Sequence, residues 1–575
     1  MIWRVRTQVS ILRGTAALLF AAGIASCGSS PQPDSDPPRV ASQPSATPKS
    51  PSRPSSHRNA PAADAVNVLT YHNDNARTGQ NRSEKTLTLG NVNSASFGKI
   101  GFLTTQGLVD AEPLYVSQLT IHGAGHNVVF VATEHDLVYA FDADTLQKLW
   151  QVSLLGPKET TSDDRGCGQV APEIGITSTP VIDLNAGPHG ALYAVAMSKD
   201  PSGNYYQRIH ALDITTGAEL PHSPQHIEAS YPGTAEPSRH GRVLFDPKQY
   251  KERVSLLLLD GVVYTSWASH CDYDPYSGWV IGYDAATLKQ TSVLNITPNG
   301  SEGAIWMSGA GLAADNSGNI YLLDGNGTFD TALNAGGFPS KGDYGNAFLK
   351  LSTAGGSLAV ADYFDMYGTL QESRRDLELG SGGALVLPDI EDSSGKTRHL
   401  AVGAGKDNII YLVDCDAMGK FNPSHDSIYQ EIRSTGEDRS QGLGGSGGVY
   451  AMPAYFHHIL YYGAVDDSLR AFKITKAWIL TPAVSKTAVT FGYPGATPSI
   501  SAYGERNGIV WAVENNSPAV LRAYDASNLA RELYDSNQSR RRDEITGNKF
   551  ITPMIANGKV FVGTPSGVAV FGLLP

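Results

Sequence analysis

One short pattern recurs through this 575-residue chain and constrains its fold more than any other feature. Alternating apolar residues lead into Ala or Gly, then an aromatic or aliphatic residue, and often Asp. The first copies are Tyr139-Ala140-Phe141-Asp142, His210-Ala211-Leu212-Asp213, Ile281-Gly282-Tyr283-Asp284 and Leu349-Lys350-Leu351-Ser352. Then come Tyr411-Leu412-Val413-Asp414, Arg470-Ala471-Phe472-Lys473, Arg522-Ala523-Tyr524-Asp525 and Ala569-Val570-Phe571-Gly572. The intervals shorten along the chain from 71 to 47 residues. The shortest matches a propeller blade of ~40–50 residues, and longer ones read as blades with loop insertions.

Each copy follows a second strand signal, as in 127–132, 191–196, 319–323 and 559–563. Period-2 alternation with Tyr, Val and Ile is strand chemistry. Before that lies a run of small residues, as at 177–180, 308–311, 380–383 and 445–448. These are read as innermost strands, where neighbouring blades converge. Segments such as Lys148–Ser153 supply a fourth, outer strand. Four strands in eight units predict an all-β, eight-bladed β-propeller of antiparallel blades. Seven blades with one mimic repeat is the other count. The last copy stands three residues before the end of the sequence. The strand Phe97–Phe102 is therefore expected to complete that blade and close the ring.

Composition agrees. The 60 Gly, 33 Pro and 17% charged residues argue against long helices. A net charge of −12 disfavours a nucleic-acid partner.

The first residues read as an address. Arg4, Arg6 and Arg13 precede or flank an apolar run at 14–25, too short to span a bilayer as a helix. It ends in Ile24-Ala25-Ser26-Cys27, which resembles the bacterial lipobox. Residues 1–26 are expected to be a lipoprotein signal peptide and Cys27 the lipidated residue. Its removal would take the net charge to −15. Residues 28–65 hold nine Pro and nine Ser. With no apolar periodicity, residues 27–65 are expected to be a disordered tether. Residues 66–575 are the propeller. The expected location is the cell envelope, on the periplasmic or surface face of the outer membrane. The lipid is the only membrane contact expected, and the protein is expected to be a monomer.

The first copy continues through Ala140-Phe141-Asp142-Ala143-Asp144-Thr145-Leu146 to Trp150. This resembles the Ala-x-Asp-x-x-Thr-Gly-x-x-x-Trp repeat of the pyrroloquinoline quinone (PQQ) propeller superfamily, whose Trp docks onto the next blade. Leu146 replaces Gly in the first copy; the second keeps Thr216-Gly217 but has Pro221 at the Trp position. The opening Tyr71–Gly79 is also similar to this superfamily. The resemblance covers residues 66–575. It implies the fold; it does not choose among dehydrogenases, outer-membrane assembly lipoproteins and other secreted propellers. Quinoprotein alcohol dehydrogenases hold PQQ and Ca²⁺ in the central funnel, under a pair of adjacent cysteines. Here no two cysteines are adjacent, and no Arg-Pro-Gly-Asp or Cys-x-x-Cys-His string occurs.

Several residues are candidates for the funnel. Glu112, Glu173 and Glu302 precede innermost strands and are expected to converge on one rim, where hard cations take oxygen ligands. Trp306 is a candidate aromatic floor, and Lys406 and Asp407 lie in a neighbouring inter-strand loop. His270 reads as a hydrogen-bonding loop residue. Cys167 and Cys271 lie in loops of adjacent blades and are expected to pair in an oxidising compartment. Cys415 is left as an unpaired thiol. Gly444–Gly448 fits Gly-x-Ser-x-Gly, but Ser446 opens a β blade and lacks the strand–turn–helix of a nucleophile elbow. The expected function is a lipid-anchored binding module with a protein, peptide or glycan partner. A divergent PQQ-dependent dehydrogenase is the alternative.

Overall fold

The computed structural model describes residues 66–236, 238–434 and 441–575. The expected signal peptide, Cys27 and the expected tether lie outside the described residues. Among those described, antiparallel β-sheets dominate, and helices are confined to short turns. Eight sheets have four or more strands, and each contains one copy of the repeat. This is the layered, radial arrangement of a β-propeller.

The first complete sheet shows how the pattern works. Its strands are Leu114–Ile121, Ala124–Ala132, Leu137–Asp142 and Lys148–Ser153, paired in chain order. Every residue of Leu137–Asp142 is buried, because adjacent sheets cover both of its faces. The outer Lys148–Ser153 has no buried residue and mixes exposed with half-buried positions. The repeat Asp closes the turn between the third and fourth strands. Asp142 Oδ1 accepts the N–H groups of Asp144 and Thr145 at 2.9 and 2.7 Å. Asp213, Asp284, Asp414 and Asp525 accept in the same way from Thr215, Thr287, Asp416 and Ser527. This is an Asx turn, which explains why Asp recurs there. The turn ends in positive φ, 72° at Gly217 and 61° at Leu146, which stands in the glycine's place. Trp150 reaches the next sheet, where its indole N–H donates to Ile214 O at 3.1 Å.

The small-residue runs differ from their expected place. They precede the innermost strands, which begin later, at Val181–Asp183, Ala313–Ala314, Leu385–Val386 and Ala454–Phe456. Their smallness serves close approach: a Cβ on Gly382 would lie 2.0 Å from Ala404 O. The strand Phe97–Thr104 pairs antiparallel with Gly567–Leu573, placing it outermost in the last sheet.

The segment 68–81 touches all eight of these sheets at their innermost strands. Val68 N–H donates to Tyr115 O, and Leu69 O accepts from Ile182 N–H. Asn75 bonds both Leu258 O and Ala314 N–H. Ala76, Thr78 and Gly79 carbonyls accept from Val386, Tyr455 and Ile500. Asn81 then donates to Ile555 O at 3.0 Å. The opening segment thus fills the centre of the sheet array. Arg77 locks it there, fully buried, donating to Leu312 O, Thr70 Oγ1 and Tyr71 O at 2.7–2.8 Å.

Candidate functional site

The residues just before the innermost strands carry aromatic side chains that meet. Trp306 and Tyr450 lie 5.9 Å apart, Tyr450 and Tyr493 5.3 Å, and Tyr493 and Phe550 6.0 Å, ring centre to ring centre. Phe550 returns to Trp306 edge-on at 6.5 Å. Each ring comes from a different sheet's entry loop. Tyr493 is 46% exposed, so this aromatic wall opens to solvent.

Charged groups flank the wall on both sides. On one, the Trp306 indole N–H donates to Glu378 Oε1 at 2.9 Å. The same oxygen lies 3.0 Å from Lys406 Nζ, which also bonds Asp376. The Lys406 ammonium stands 5.7 Å from the centre of the Trp306 ring. On the other, the Arg253 guanidinium covers Phe550 at 4.8 Å and pairs with Asp110 at 3.6 Å. Asn548 holds the second Asp110 oxygen at 2.7 Å.

The electrostatics reflect crowded acids in a partly dry site. Burial, then Asp274, Asp272, Glu378 and Asp376, pushes Glu302 up to about 7. Burial raises Glu378 as well, against the pull of Lys406. Burial opposes the charge on Lys406, but Glu378 and Asp376 overcome it and hold the ammonium charged. Across the wall, burial and then Asp110 lift Glu134 to about 8.

The predicted residues divide. Trp306 and Lys406 belong to this site, tied to one another through Glu378, and Glu302 lies within the electrostatic reach of the same carboxylate. Glu112 does not: it is buried, and its Oε2 accepts the His72 N–H of the central segment at 2.8 Å. Glu173 accepts from His135 Nδ1 and the Thr161 hydroxyl. Asp407 turns away to the Tyr411 hydroxyl at 2.6 Å. Each of the three is committed to a local partner, and among the described residues no three His, Cys, Asp or Glu side chains form a metal-ligand set. Both ring nitrogens of His270 are buried without a partner, and burial takes its pKa down to about 3. Cys167 and Cys271 are bonded to each other, with Cα atoms 5.5 Å apart. Cys415 is a buried free thiol, raised to about 12 by burial. The Ser446 hydroxyl bonds Asp466. Sequence reasoning missed Glu378, Asp376, Tyr450, Tyr493, Phe550 and Arg253. The available signal was an aromatic residue placed, like Trp306, four to seven residues before an innermost strand.

These residues do not fit a calcium-bound quinone carboxylate. The positive charge between Asp376 and Glu378, the place a calcium ion held by these two carboxylates would take, is already supplied by Lys406.

No protein-family model and no curated protein matches the chain. Solved structures do. The quinohemoprotein alcohol dehydrogenase from Comamonas testosteroni is 14% identical with a TM-score of 0.56, covering 89% of this chain and 81% of its own. A second, ADHIIG from Pseudomonas putida HK5, is 12% identical at a TM-score of 0.54, covering 88% and 80%. A europium-containing methanol dehydrogenase is 12% identical at 0.51, covering 88% of this chain and 98% of its own. At these identities the likeness is one of fold, and the chain has the β-propeller fold of the quinoprotein alcohol dehydrogenases.

Proposed function

We propose that this chain is a lipid-anchored, cell-envelope β-propeller whose aromatic wall binds a glycan. The carrying observation is the wall of Trp306, Tyr450, Tyr493 and Phe550, set between Glu378–Lys406 and Arg253–Asp110. A sugar ring offers an apolar C–H face and a rim of hydroxyls. Flat aromatic faces take the first, and carboxylates, ammonium and guanidinium groups take the second. Eight blades closed by Phe97–Thr104 are supported by the eight sheets and by the central segment that bonds to each of them. Lipidation at Cys27 rests on the lipobox-like string, and Cys27→Ala is expected to abolish palmitate incorporation.

Calorimetric titration with a panel of neutral and N-acetylated oligosaccharides tests the binding reading. Saturable binding that falls at least tenfold in Trp306→Ala is expected. The quinoprotein reading predicts the opposite pattern: stoichiometric uptake of PQQ with Ca²⁺, dye reduction with alcohols, and no glycan binding. That result would overturn the proposal.

A further inference from the structure

Three cationic side chains crowd the Arg253 side of the aromatic wall: Lys251, Arg253 and Lys549. Two have partners. Arg253 pairs with Asp110 and covers Phe550, and Lys549 Nζ bonds Gln169 Oε1 at 3.4 Å. Lys251 is the exception. It lies on the strand Tyr250–Glu252, where it pairs with Ala268, and is only 7% exposed. Among the described residues its amine has no hydrogen bond and no ion pair within 4 Å. Yet it is not among the atoms sealed from solvent without a partner, unlike both ring nitrogens of neighbouring His270. A lysine held this way has no direct ion pair to hold its charge, and the acids that favour it, Glu134 and Asp110, act only at longer range.

We infer that Lys251 is a carbonyl-reactive amine that captures a small aldehyde as an imine.

The groups facing Lys251 are Arg253, Glu134, Asp110, Lys549 and His270. Burial first, then Arg253 and Lys549, bring its pKa down to about 7, against Glu134 and Asp110. Near neutral pH it therefore holds roughly a thousandfold more free amine than a lysine at the ordinary ~10.4. In the reaction the nitrogen lone pair attacks the carbonyl carbon, forming the C–N bond as the C=O π pair moves to oxygen. The C–O bond then breaks. The two amine hydrogens leave with that oxygen as water, and the imine remains. No oxidant or reductant is consumed. The inference stands apart from the glycan reading: any small aldehyde is a competent probe.

The test uses the purified full chain with its disulfide intact, treated with propanal and cyanoborohydride, which fixes an imine as a secondary amine. Peptide mapping then ranks the lysines. Lys251 is expected to be propylated at least tenfold faster at pH 7 than exposed Lys158 and Lys289. Its rate should rise with pH around a midpoint near 7. Lys549→Met, which removes a like charge, should move that midpoint upward. Propylation of Lys158 and Lys289 with Lys251 untouched, or reaction at Lys251 only after unfolding, would overturn the inference.

Discussion

Lys406 Nζ lies 3.0 Å from Glu378 Oε1, with the two side chains 12% and 6% exposed. That carboxylate also holds the Trp306 indole, so one ion pair orients the aromatic wall. Removing one member of such a pair strands the other charge in a dry site. Lys406→Met is expected to cost about 3–5 kcal/mol in urea unfolding. Adding Glu378→Gln should recover most of that loss while leaving the Trp306 N–H an acceptor. Equal losses in the single and double variants would show that the pair does not set this geometry.

Arg77 ties the central segment to innermost strands far along the chain, through Leu312 O at 2.8 Å and Leu256 O at 3.3 Å. Truncation leaves several buried carbonyls short of a donor and opens a cavity. Arg77→Ala is expected to destabilise by about 3–5 kcal/mol. Hydrogen exchange should quicken first at Ile182, Val386, Tyr455 and Ile500, whose amides bond the segment. Exchange that stays slow at these amides would mean that the segment holds its place without Arg77.

The parts of the fold that were legible in the chain are those written in side chains. The repeat Asp is visible because its carboxylate closes a turn, as at Asp142 and Asp213. Trp150 is visible because only a large ring reaches the next sheet. The central segment was not legible, since most of its bonds use backbone carbonyls that any residue supplies. Glu378 was hidden for another reason. Its role exists only once Trp306, 72 residues away, and Lys406 are folded against it. Glu112 misled because a carboxylate before an innermost strand looks the same whether it faces a ligand or the His72 N–H.

The Cys167–Cys271 bond links positions 104 residues apart. A loop of that length removes much unfolded-chain freedom, about 4–5 kcal/mol in the chain-entropy picture. The double Cys→Ser variant is expected to lose about 2–5 kcal/mol against guanidinium. The loops carrying Arg165 and Tyr273 should loosen most. Tyr273 OH donates across the bridge to Gly166 O at 3.0 Å. An unchanged midpoint would mean that the two loops are held by such contacts alone.

The pH dependence of stability follows from buried carboxylic acids. Glu252 is 4% exposed, and both its carboxylate oxygens lack a hydrogen-bond partner. Burial raises it from 4.5 to about 8. Burial also takes Glu112 to about 8. Between these values the folded protein keeps protons that the unfolded chain gives up. Their contribution is therefore full below pH 4.5 and is lost as pH rises through about 8. Lys251 has the opposite sign, since its lowered pKa makes stability rise between about 7 and 10.5. The carboxylic acids dominate the acid side of neutrality. The urea midpoint is accordingly expected to be higher at pH 5 than at pH 7.5. Glu252→Gln keeps the shape and removes the titration. It should be close to neutral at pH 5 and stabilising by about 1–3 kcal/mol at pH 8. A variant that lowers the midpoint equally at both values would mean that Glu252 is ionised in the folded protein and paired there.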